Sequence, residues 1–244
     1  MNRSGADERR PLRALILQHE DPTPPGHVTE WLGRHGADVE VFRIDLEDRE
    51  PDPAAYDLIV SLGSEFAAFD DSKPFVPREA RLMRRAVDQD VPILGLCFGG
   101  QMLARVLGGE VYRGPDAEIG WLPVRTRDAE LVPEGPWFQW HFDIITPPPG
   151  ADVIAETDLG VQAFVAGRSL GLQFHPEVTP EIMDEWVRTY RHELDAEGVD
   201  PDTLLEETNR EADEHKRTSW QLLERYLERV ARLSETDTGR EPVR

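Results

Sequence analysis

The sequence is poor in cysteine, in positive charge and in long apolar runs, and each shortage excludes a class of protein. A single cysteine in 244 residues excludes a disulfide within the chain. The formal net charge of -21 argues against nonspecific binding to nucleic acid or anionic membranes. No apolar run approaches membrane-spanning length, and the N-terminus lacks the apolar core of a signal peptide. We therefore expect a cytoplasmic protein, in a compartment where a thiol stays reduced.

Motifs for metal and nucleotide binding are also missing from the sequence. The 7 histidines are scattered, with no HExxH pattern and no cluster with cysteine. No glycine-rich phosphate loop of the Walker type occurs. The sequence therefore predicts no metal site, no cofactor and no ATP site.

The lone cysteine lies in the most informative stretch, Pro92–Gln101. An apolar run typical of a buried strand leads into Gly-Leu-Cys-Phe-Gly-Gly, and a helix-like segment follows. A strand-to-helix turn among glycines exposes one side chain on a sharp corner. The N-terminus of the following helix favours a thiolate at that corner. Cys97 is therefore a candidate nucleophile, and a buried, inert cysteine at a strand end is the alternative.

A histidine and a carboxylate further along the chain bear on that choice. A thiol nucleophile needs a base, and the base needs a group that orients it. His175 and Glu177, in the segment Phe-His-Pro-Glu, are candidates for these two roles. The alternation over Leu170–His175 predicts a strand, on which residues two apart share one face.

Gly-Leu-Cys-Phe-Gly-Gly-Gln and Phe-His-Pro-Glu resemble the two signature motifs of the class I, or triad, glutamine amidotransferases. From about Leu12 to Glu177 the chain is similar to free-standing members related to the glutaminase domain of GMP synthase. The resemblance implies a catalytic triad of Cys97, His175 and Glu177. The presence of both motifs, in this order, favours the nucleophile over the inert cysteine.

The same resemblance implies an oxyanion hole. Its donors would be the backbone N–H groups of Ser64 and Phe98, and Gly63 would border the substrate. Where the family has Gly-Gly-Pro, this chain has Gly63-Ser64-Glu65. Glycine tolerates a positive φ better than serine does, so the Ser64 donor survives the replacement only if its backbone does not need that conformation.

Other polar residues are candidates for contacts with the substrate. By resemblance, Gln101 would hold the substrate backbone, His141 would line the pocket, and Asp143 would contact the substrate amine. A helix-face amide and a packed aromatic strand with a satisfied histidine are the alternatives. His19 and Glu20 follow the first predicted strand, at the edge where ligands of open α/β sheets bind. We expect these two residues in a solvated loop.

Strand-like and helix-like segments alternate up to the cysteine turn, which indicates an α/β fold. We predict an open, mostly parallel sheet with helices on both faces, a flavodoxin-like or Rossmann-like three-layer sandwich, with a small β extension and a helical C-terminal tail. The β extension would contain three strands, Val153–Glu156, Val161–Val165 and Leu170–Phe174. Asp200 as N-cap and Pro201 at the first helical position predict the start of a long helix in the tail.

The predicted domain organisation is one main domain with an appendage. Residues 12–179 would form the amidotransferase-like domain, and residues 180–235 a helical extension packed on it. The end segments Met1–Pro11 and Thr236–Arg244 are expected to be frayed or disordered.

The function that the resemblance implies is hydrolysis of the side-chain amide of glutamine through a γ-glutamyl thioester. The products would be glutamate, and ammonia for a separate synthetase. One alternative is a stand-alone γ-glutamyl hydrolase or peptidase that uses the same triad on another γ-glutamyl amide. A second is a non-catalytic binding protein with this fold, against which the complete triad argues. The acceptor of the ammonia and the oligomeric state are left open by the sequence.

Overall fold

A computed structural model describes residues 10–233, so the end segments predicted to be frayed or disordered lie outside the described residues, apart from Arg10 and Pro11. The strands are β1 Arg13–Gln18, β2 Asp38–Arg43, β3 Leu58–Ser61, β4 Ile93–Leu96, β5 Glu110–Leu122, β6 Arg125–Thr126, β7 Trp137–Thr146, β8 Asp152–Glu156, β9 Val161–Ala166 and β10 Ser169–Leu172. The α-helices are α1 Gly26–Arg34, α2 Phe75–Asp88, α3 Phe98–Val106, α4 Pro180–Thr189, α5 Arg191–Glu197 and α6 Pro201–Arg225. A 3₁₀ turn, Pro53–Ala55, precedes β3, and a π-helical turn, Tyr226–Ala231, follows α6.

Eight of the strands form one sheet in the order β2-β1-β3-β4-β10-β9-β8-β6. The first five strands in this order run parallel, and β9, β8 and β6 continue the sheet with antiparallel pairing. The strands β5 and β7 form a separate antiparallel pair. The predicted α/β fold with a mostly parallel sheet is confirmed. Of the strands predicted for the β extension, β10 pairs parallel with β4, and β9 and β8 continue the sheet with antiparallel pairing.

Side chains of the central strands face two different cores, because neighbouring residues on a strand point to opposite faces. Ala14 and Ile16 of β1 belong to a core shared with α1 and α6. Leu15 and Leu17 belong to a core shared with α2 and α3. All four side chains are fully buried. The sheet therefore lies between two helical layers, as a parallel sheet requires.

The C-terminal helices pack against the strands that precede them. The predicted start of α6 is confirmed, because Pro201 is its first residue and the side chain of Asp200 accepts a hydrogen bond from the Thr203 N–H at 3.2 Å. Near its end, Leu222 and Leu223 are fully buried in the core shared with α1. The domain boundary drawn between residues 179 and 180 stays a prediction. No helix within the described range is long and apolar enough to cross a membrane.

The strand that leads to His175 ends earlier than predicted. β10 stops at Leu172, so His175 and Glu177 lie in the loop after it, and the strand predicted over Leu170–His175 is wrong at its C-terminal end. The parallel neighbour of β10, strand β4, ends at Leu96. Residues beyond Leu172 therefore have no parallel strand with which to pair.

The turn between β4 and α3 is tight because two glycines bring the helix against the sheet. A side chain at Gly99 would overlap the main chain of Ser61 in β3. A side chain at Gly100 would overlap the carbonyl group of Leu172 in β10. The first turn of α3 thus contacts the ends of both neighbouring strands, which only a residue without Cβ allows.

Substitution of Gly100 by alanine should destabilise the fold. The added methyl group must displace β10 or α3, so we expect Gly100→Ala to lower the free energy of unfolding by about 1–3 kcal/mol. In the matched control Gly33→Ala, on the exposed face of α1, the new Cβ meets no atom within 4 Å. That substitution should raise the free energy of unfolding by about 0.5–1 kcal/mol. Urea unfolding measures both, and equal effects would contradict the packing described for this turn.

Candidate active site

Cys97 occupies the corner between β4 and α3, as the sequence predicts. Its backbone has φ 48° and ψ −105°, a conformation that is rare for a residue with a side chain and costs about 1–3 kcal/mol. The side chain is largely buried, and its sulfur accepts a hydrogen bond from Nε2 of Gln173 at 3.7 Å. The strained backbone turns the thiol out of the sheet, at the N-terminus of α3.

His175 and Glu177 form a buried pair beside the thiol. The Nδ1 atom of His175 lies 2.7 Å from Oε1 of Glu177, and both side chains are almost fully buried. The other ring nitrogen, Nε2, has no hydrogen-bond partner within residues 10–233. One edge of the imidazole is therefore held by a carboxylate, and the other is free for a substrate.

The charges around His175 favour its protonated form. Burial alone lowers the pKa of the imidazole, but the charges of Glu177 and Cys97 outweigh burial and raise this pKa to about 10. At neutral pH the ring therefore carries a proton that it can donate to a departing group.

The segment Gly63-Ser64 borders both the thiol and the imidazole. A Cβ built on Gly63 would lie 3.8 Å from the Cβ of Cys97 and 3.0 Å from Cε1 of His175. The φ angle of Ser64 is not positive, so the serine fits this backbone without the strain considered above. In the part of the chain that the structure describes, the N–H groups of Ser64 and Phe98 have no hydrogen-bond acceptor. Both donors are therefore free to bind an oxyanion.

A cavity of about 320 Å³ opens above the thiol. Its walls include Cys97, His175, Gly63, Ser64, Gln101, His141 and Asp143, which are seven of the nine residues predicted for the site. The other two, Phe98 and Glu177, lie behind this wall. Among the described residues, no group of three or more His, Cys, Asp and Glu side chains is placed to hold a metal ion.

Three polar side chains of the cavity wall, Gln101, His141 and Asp143, differ in whether their polar atoms already have partners within the protein. Nε2 of Gln101 lies 3.4 Å from Oε1 of Gln173. The Nδ1 atom of His141 lies 3.1 Å from the carbonyl oxygen of Asp143, and its Nε2 atom lies 3.0 Å from the Glu118 carboxylate without a hydrogen bond to it. The Asp143 carboxylate makes no hydrogen bond within residues 10–233, and burial raises its pKa although the charges of Arg113 and His141 act in the opposite direction. His141 therefore lines the cavity with one ring nitrogen hydrogen-bonded, and the Asp143 carboxylate is open to a ligand.

Several cavity residues were not predicted from the sequence. The guanidinium group of Arg113, on β5, packs over the ring of Phe142 at 4.1 Å and reaches the cavity near Asp143. Trp186 and Tyr190 come from the C-terminal helical segment. Their helical spacing indicates an apolar face, but no local pattern indicates that this face ends at the cavity.

The expectation of a solvated loop is wrong for His19. Its side chain is buried, with Nε2 2.7 Å from Oε2 of Glu79 and Nδ1 3.1 Å from the carbonyl oxygen of Gly63. Its neighbour Glu20 is only partly buried and accepts a hydrogen bond from the N–H of Glu65 at 2.7 Å. His19, the first residue after β1, points inward because Glu79 on α2 provides a buried carboxylate as its partner.

Comparisons with known proteins identify the family of this chain. The family model for class I glutamine amidotransferases matches residues 27–189. GMP synthase [glutamine-hydrolyzing] of Thermus thermophilus is 38% identical over 154 residues, which cover 57% of this chain and 30% of that protein. One subunit of the GMP synthase [glutamine-hydrolyzing] of Sulfurisphaera tokodaii is 34% identical over 136 residues, or 50% of this chain and 68% of that one. The chain thus spans about a third of the Thermus protein.

Two crystal structures of glutamine amidotransferases have the same architecture. The protein from Thermotoga maritima superposes with a TM-score of 0.82 at 34% identity, over 90% of this chain and 99% of that one. The protein from Methylobacillus flagellatus superposes with a TM-score of 0.80 at 27% identity, over 89% of this chain and 94% of that one. Since the family model matches more than half of the chain, including Cys97 and His175, the chain belongs to the class I glutamine amidotransferase family of glutamine-hydrolysing enzymes.

Proposed function

We propose that this protein hydrolyses the side-chain amide of glutamine with a triad of Cys97, His175 and Glu177, and that the ammonia serves a separate synthetase. One observation carries the proposal. A strained cysteine and a histidine whose Nδ1 is held by a carboxylate, 2.7 Å away, line the same cavity, and the Nε2 of that histidine is free.

In the first half of the reaction the Cys97 thiolate attacks the amide carbon of glutamine. The negative charge moves to the amide oxygen, which accepts hydrogen bonds from the N–H groups of Ser64 and Phe98. His175 gives its proton to the amide nitrogen, the carbon–nitrogen bond breaks, and ammonia leaves. The products of this half are ammonia and a γ-glutamyl thioester on Cys97.

In the second half a water molecule releases the product. His175, now neutral, takes a proton from water while the oxygen attacks the thioester carbon. The carbon–sulfur bond breaks, the thiolate re-forms, and glutamate departs. Glu177 keeps the Nδ1–H of the imidazole in place throughout, so that Nε2 gives and takes the proton.

The part of the cavity around Asp143 suits the amino acid part of glutamine. The carboxylate of Asp143 lines the cavity and makes no hydrogen bond among the described residues, so it would bind the α-ammonium group of glutamine. Arg113 lies at the same end of the cavity and would bind the α-carboxylate. Gln101 would complete the contacts to the substrate backbone.

The delivery of ammonia to a partner is the second part of the proposal. One relative, from Sulfurisphaera tokodaii, is named as one subunit of a glutamine-hydrolyzing GMP synthase. By analogy, this chain would provide the glutaminase of an enzyme whose synthetase is a separate protein. Ammonia released in the absence of the partner is lost to solvent. Such a glutaminase is therefore expected to be active mainly when its partner is bound.

A second candidate function is hydrolysis of a γ-glutamyl amide with a substituted amine. The observation that favours it is an aromatic wall on the side of the cavity next to His175. The ring of Trp186 lies 4.9 Å from that of His175, and the ring of Trp140 lies 6.0 Å from those of Trp186 and Tyr190. Because His175 protonates the departing nitrogen, an amine larger than ammonia would contact this wall.

The purified protein should release glutamate and ammonia from glutamine in equal amounts. Replacement of the nucleophile, as in Cys97→Ser, should lower kcat at least about a thousandfold. A coupled assay of both products on glutamine and on a panel of γ-glutamyl amines measures this. Rapid turnover of a γ-glutamyl amine with glutamine a poor substrate would favour the second candidate function. No turnover of any γ-glutamyl amide, with or without a partner, would contradict both.

Binding of a synthetase should increase glutamine hydrolysis. The proposal requires a partner that raises kcat for glutamate release by about tenfold or more, an effect of the size that one better-placed oxyanion donor gives. The measurement is glutamate release by the isolated protein and by the protein reconstituted with a synthetase that co-purifies with it. An isolated protein that is already fully active, with no response to that synthetase, would contradict the partner but not the glutaminase.

The two members of the buried His–Glu pair should differ in importance. We expect His175→Ala to lower kcat by about 10²–10⁴-fold, because acid and base are lost together. Glu177→Gln should lower kcat by a smaller factor, and it should also lower the pKa of His175 from about 10. The Glu177 charge is one of the causes of the raised pKa, so without it the proton leaves at lower pH. NMR of the imidazole ring, assigned by its loss in His175→Ala, measures this pKa.

The partly exposed pair His35–Glu224 provides a matched control, since its two side chains lie 2.9 Å apart and neither of them lines the cavity. Glu224→Gln should leave both kcat and the His175 pKa unchanged. An imidazole of His175 that titrates near 6.5 in the parent protein, or His175→Ala with near-normal turnover, would disprove the proposed triad.

A further inference from the structure

A buried polar network that the mechanism above does not use lies against the Gly63-Ser64 segment. His19, just after β1, has its Nε2 atom 2.7 Å from Oε2 of Glu79 on α2. The hydroxyl of Ser61, at the end of β3, donates to Oε1 of Glu79 at 2.5 Å. All three side chains are almost fully buried. Burial of charged groups costs free energy, so the presence of an ionisable pair this deep in the protein needs an explanation.

The network contacts the backbone of the oxyanion segment directly. The second ring nitrogen of His19, Nδ1, lies 3.1 Å from the carbonyl oxygen of Gly63. A carbonyl oxygen can only accept a hydrogen bond, so Nδ1 carries a proton and donates it. Burial alone lowers the pKa of His19, but the charge and hydrogen bond of Glu79 outweigh burial and raise it. Glu79 and Gly63 thus occupy both nitrogens of the ring.

The carbonyl oxygen of Gly63 and the N–H of Ser64 belong to one peptide group. A trans peptide is planar, and its C=O and N–H point in opposite directions. A hydrogen bond that holds the oxygen toward His19 therefore holds the Ser64 N–H away from His19. That N–H has no acceptor among the described residues, and Ser64 lines the cavity. Rotation of this peptide group would withdraw the donor from the cavity.

The same histidine also packs on the second donor residue. Its ring lies 4.6 Å from the ring of Phe98, whose N–H is the other free donor. Ser61 is the residue whose main chain Gly99 contacts at the start of α3. The network is therefore in contact with both halves of the oxyanion hole.

We infer that His19, held by Glu79 and Ser61, is a positioning residue that keeps the Gly63–Ser64 peptide group oriented with its N–H toward the substrate. The inference rests on the proposed function, since it assigns a role in the stabilisation of the oxyanion. It differs from a role in stability alone. A residue that only stabilises the core affects unfolding, whereas one that orients the oxyanion donor affects kcat and leaves ground-state binding unchanged.

Two substitutions of His19 separate these roles. Asparagine carries its amide nitrogen at the same number of bonds from Cα as Nδ1, so His19→Asn keeps a donor for the Gly63 carbonyl but loses the bond to Glu79. Glutamine carries its amide at the position of Nε2, so His19→Gln keeps the bond to Glu79 but loses the bond to Gly63. His35 provides the matched control His35→Asn, because its Nδ1 lies 2.9 Å from the Trp31 carbonyl oxygen, remote from the cavity.

We expect His19→Gln to lower kcat by about 10- to 100-fold with KM within about twofold, because the donor acts only in the transition state. His19→Asn should restore kcat to within about threefold of the parent, even if it unfolds at a lower temperature. Alkylation of Cys97 by iodoacetamide forms no oxyanion, so its rate should stay within about twofold in both variants. The control His35→Asn should change none of these quantities. Steady-state kinetics, mass spectrometry and thermal unfolding provide the measurements.

Equal kcat in His19→Gln and His19→Asn, or a kcat that follows the unfolding temperature, would overturn the inference. If a His19 variant does not fold, Glu79→Gln and Glu79→Leu make the same comparison, since only glutamine can still hold the imidazole. A tenfold or greater difference in kcat between these two supports the inference, and equal values overturn it. An oxyanion forms on any γ-glutamyl amide, so the kcat comparison holds even if glutamine proves to be the wrong substrate.

Discussion

The close approach of helix α3 to the ends of β3 and β10 is the constraint on which the rest of the site depends. Gly99 and Gly100 leave no room for a Cβ between the helix and these strands. The chain must therefore turn within a single residue, and that residue is Cys97, at φ 48°. The turn directs the sulfur into the cavity and places the helix N-terminus, with the unpaired N–H of Phe98, directly beside it. A longer turn would relieve the strain but would separate the nucleophile from its donor.

Two histidine–carboxylate pairs flank the segment that contains Gly63, and they differ in one respect. In the pair of His175 and Glu177, the Nε2 atom of the imidazole has no partner within residues 10–233 and the ring lines the cavity. In the pair of His19 and Glu79, the second nitrogen contacts the Gly63 carbonyl. Burial lowers the effective dielectric around both pairs, so each charge is stabilised mainly by its partner. A ring with a free nitrogen can exchange a proton with a substrate, whereas a ring with both nitrogens held can only position what it touches.

The cavity lies at the carboxyl ends of the parallel strands, where the loops after β3, β4 and β10 meet. The small β5–β7 sheet adds Asp143 and Arg113 to the cavity wall, and the C-terminal helical segment adds Trp186 and Tyr190. The sheet edge carries the residues of the proposed chemistry, and the additions surround the parts of a substrate that do not react. Differences in substrate or partner among proteins of this fold are expected to arise in such additions, since they can change without disturbing the strained turn.

Local sequence determined the turn at Cys97, the mostly parallel sheet and the start of α6 at Pro201, because each depends on neighbours in the chain: glycine spacing, apolar runs and an N-cap. The motifs also identified His175 and Glu177 correctly as neighbours, although β10 ends before them. Tertiary structure decided the rest. His19 has nothing local to mark it as buried, because its partners Glu79 and Gly63 lie 60 and 44 residues away in the chain. Arg113 and Trp186 reach the cavity only because separate sheets and helices meet there. A sequence pattern indicates which face of a helix or strand is apolar, but not which part of the protein that face will contact.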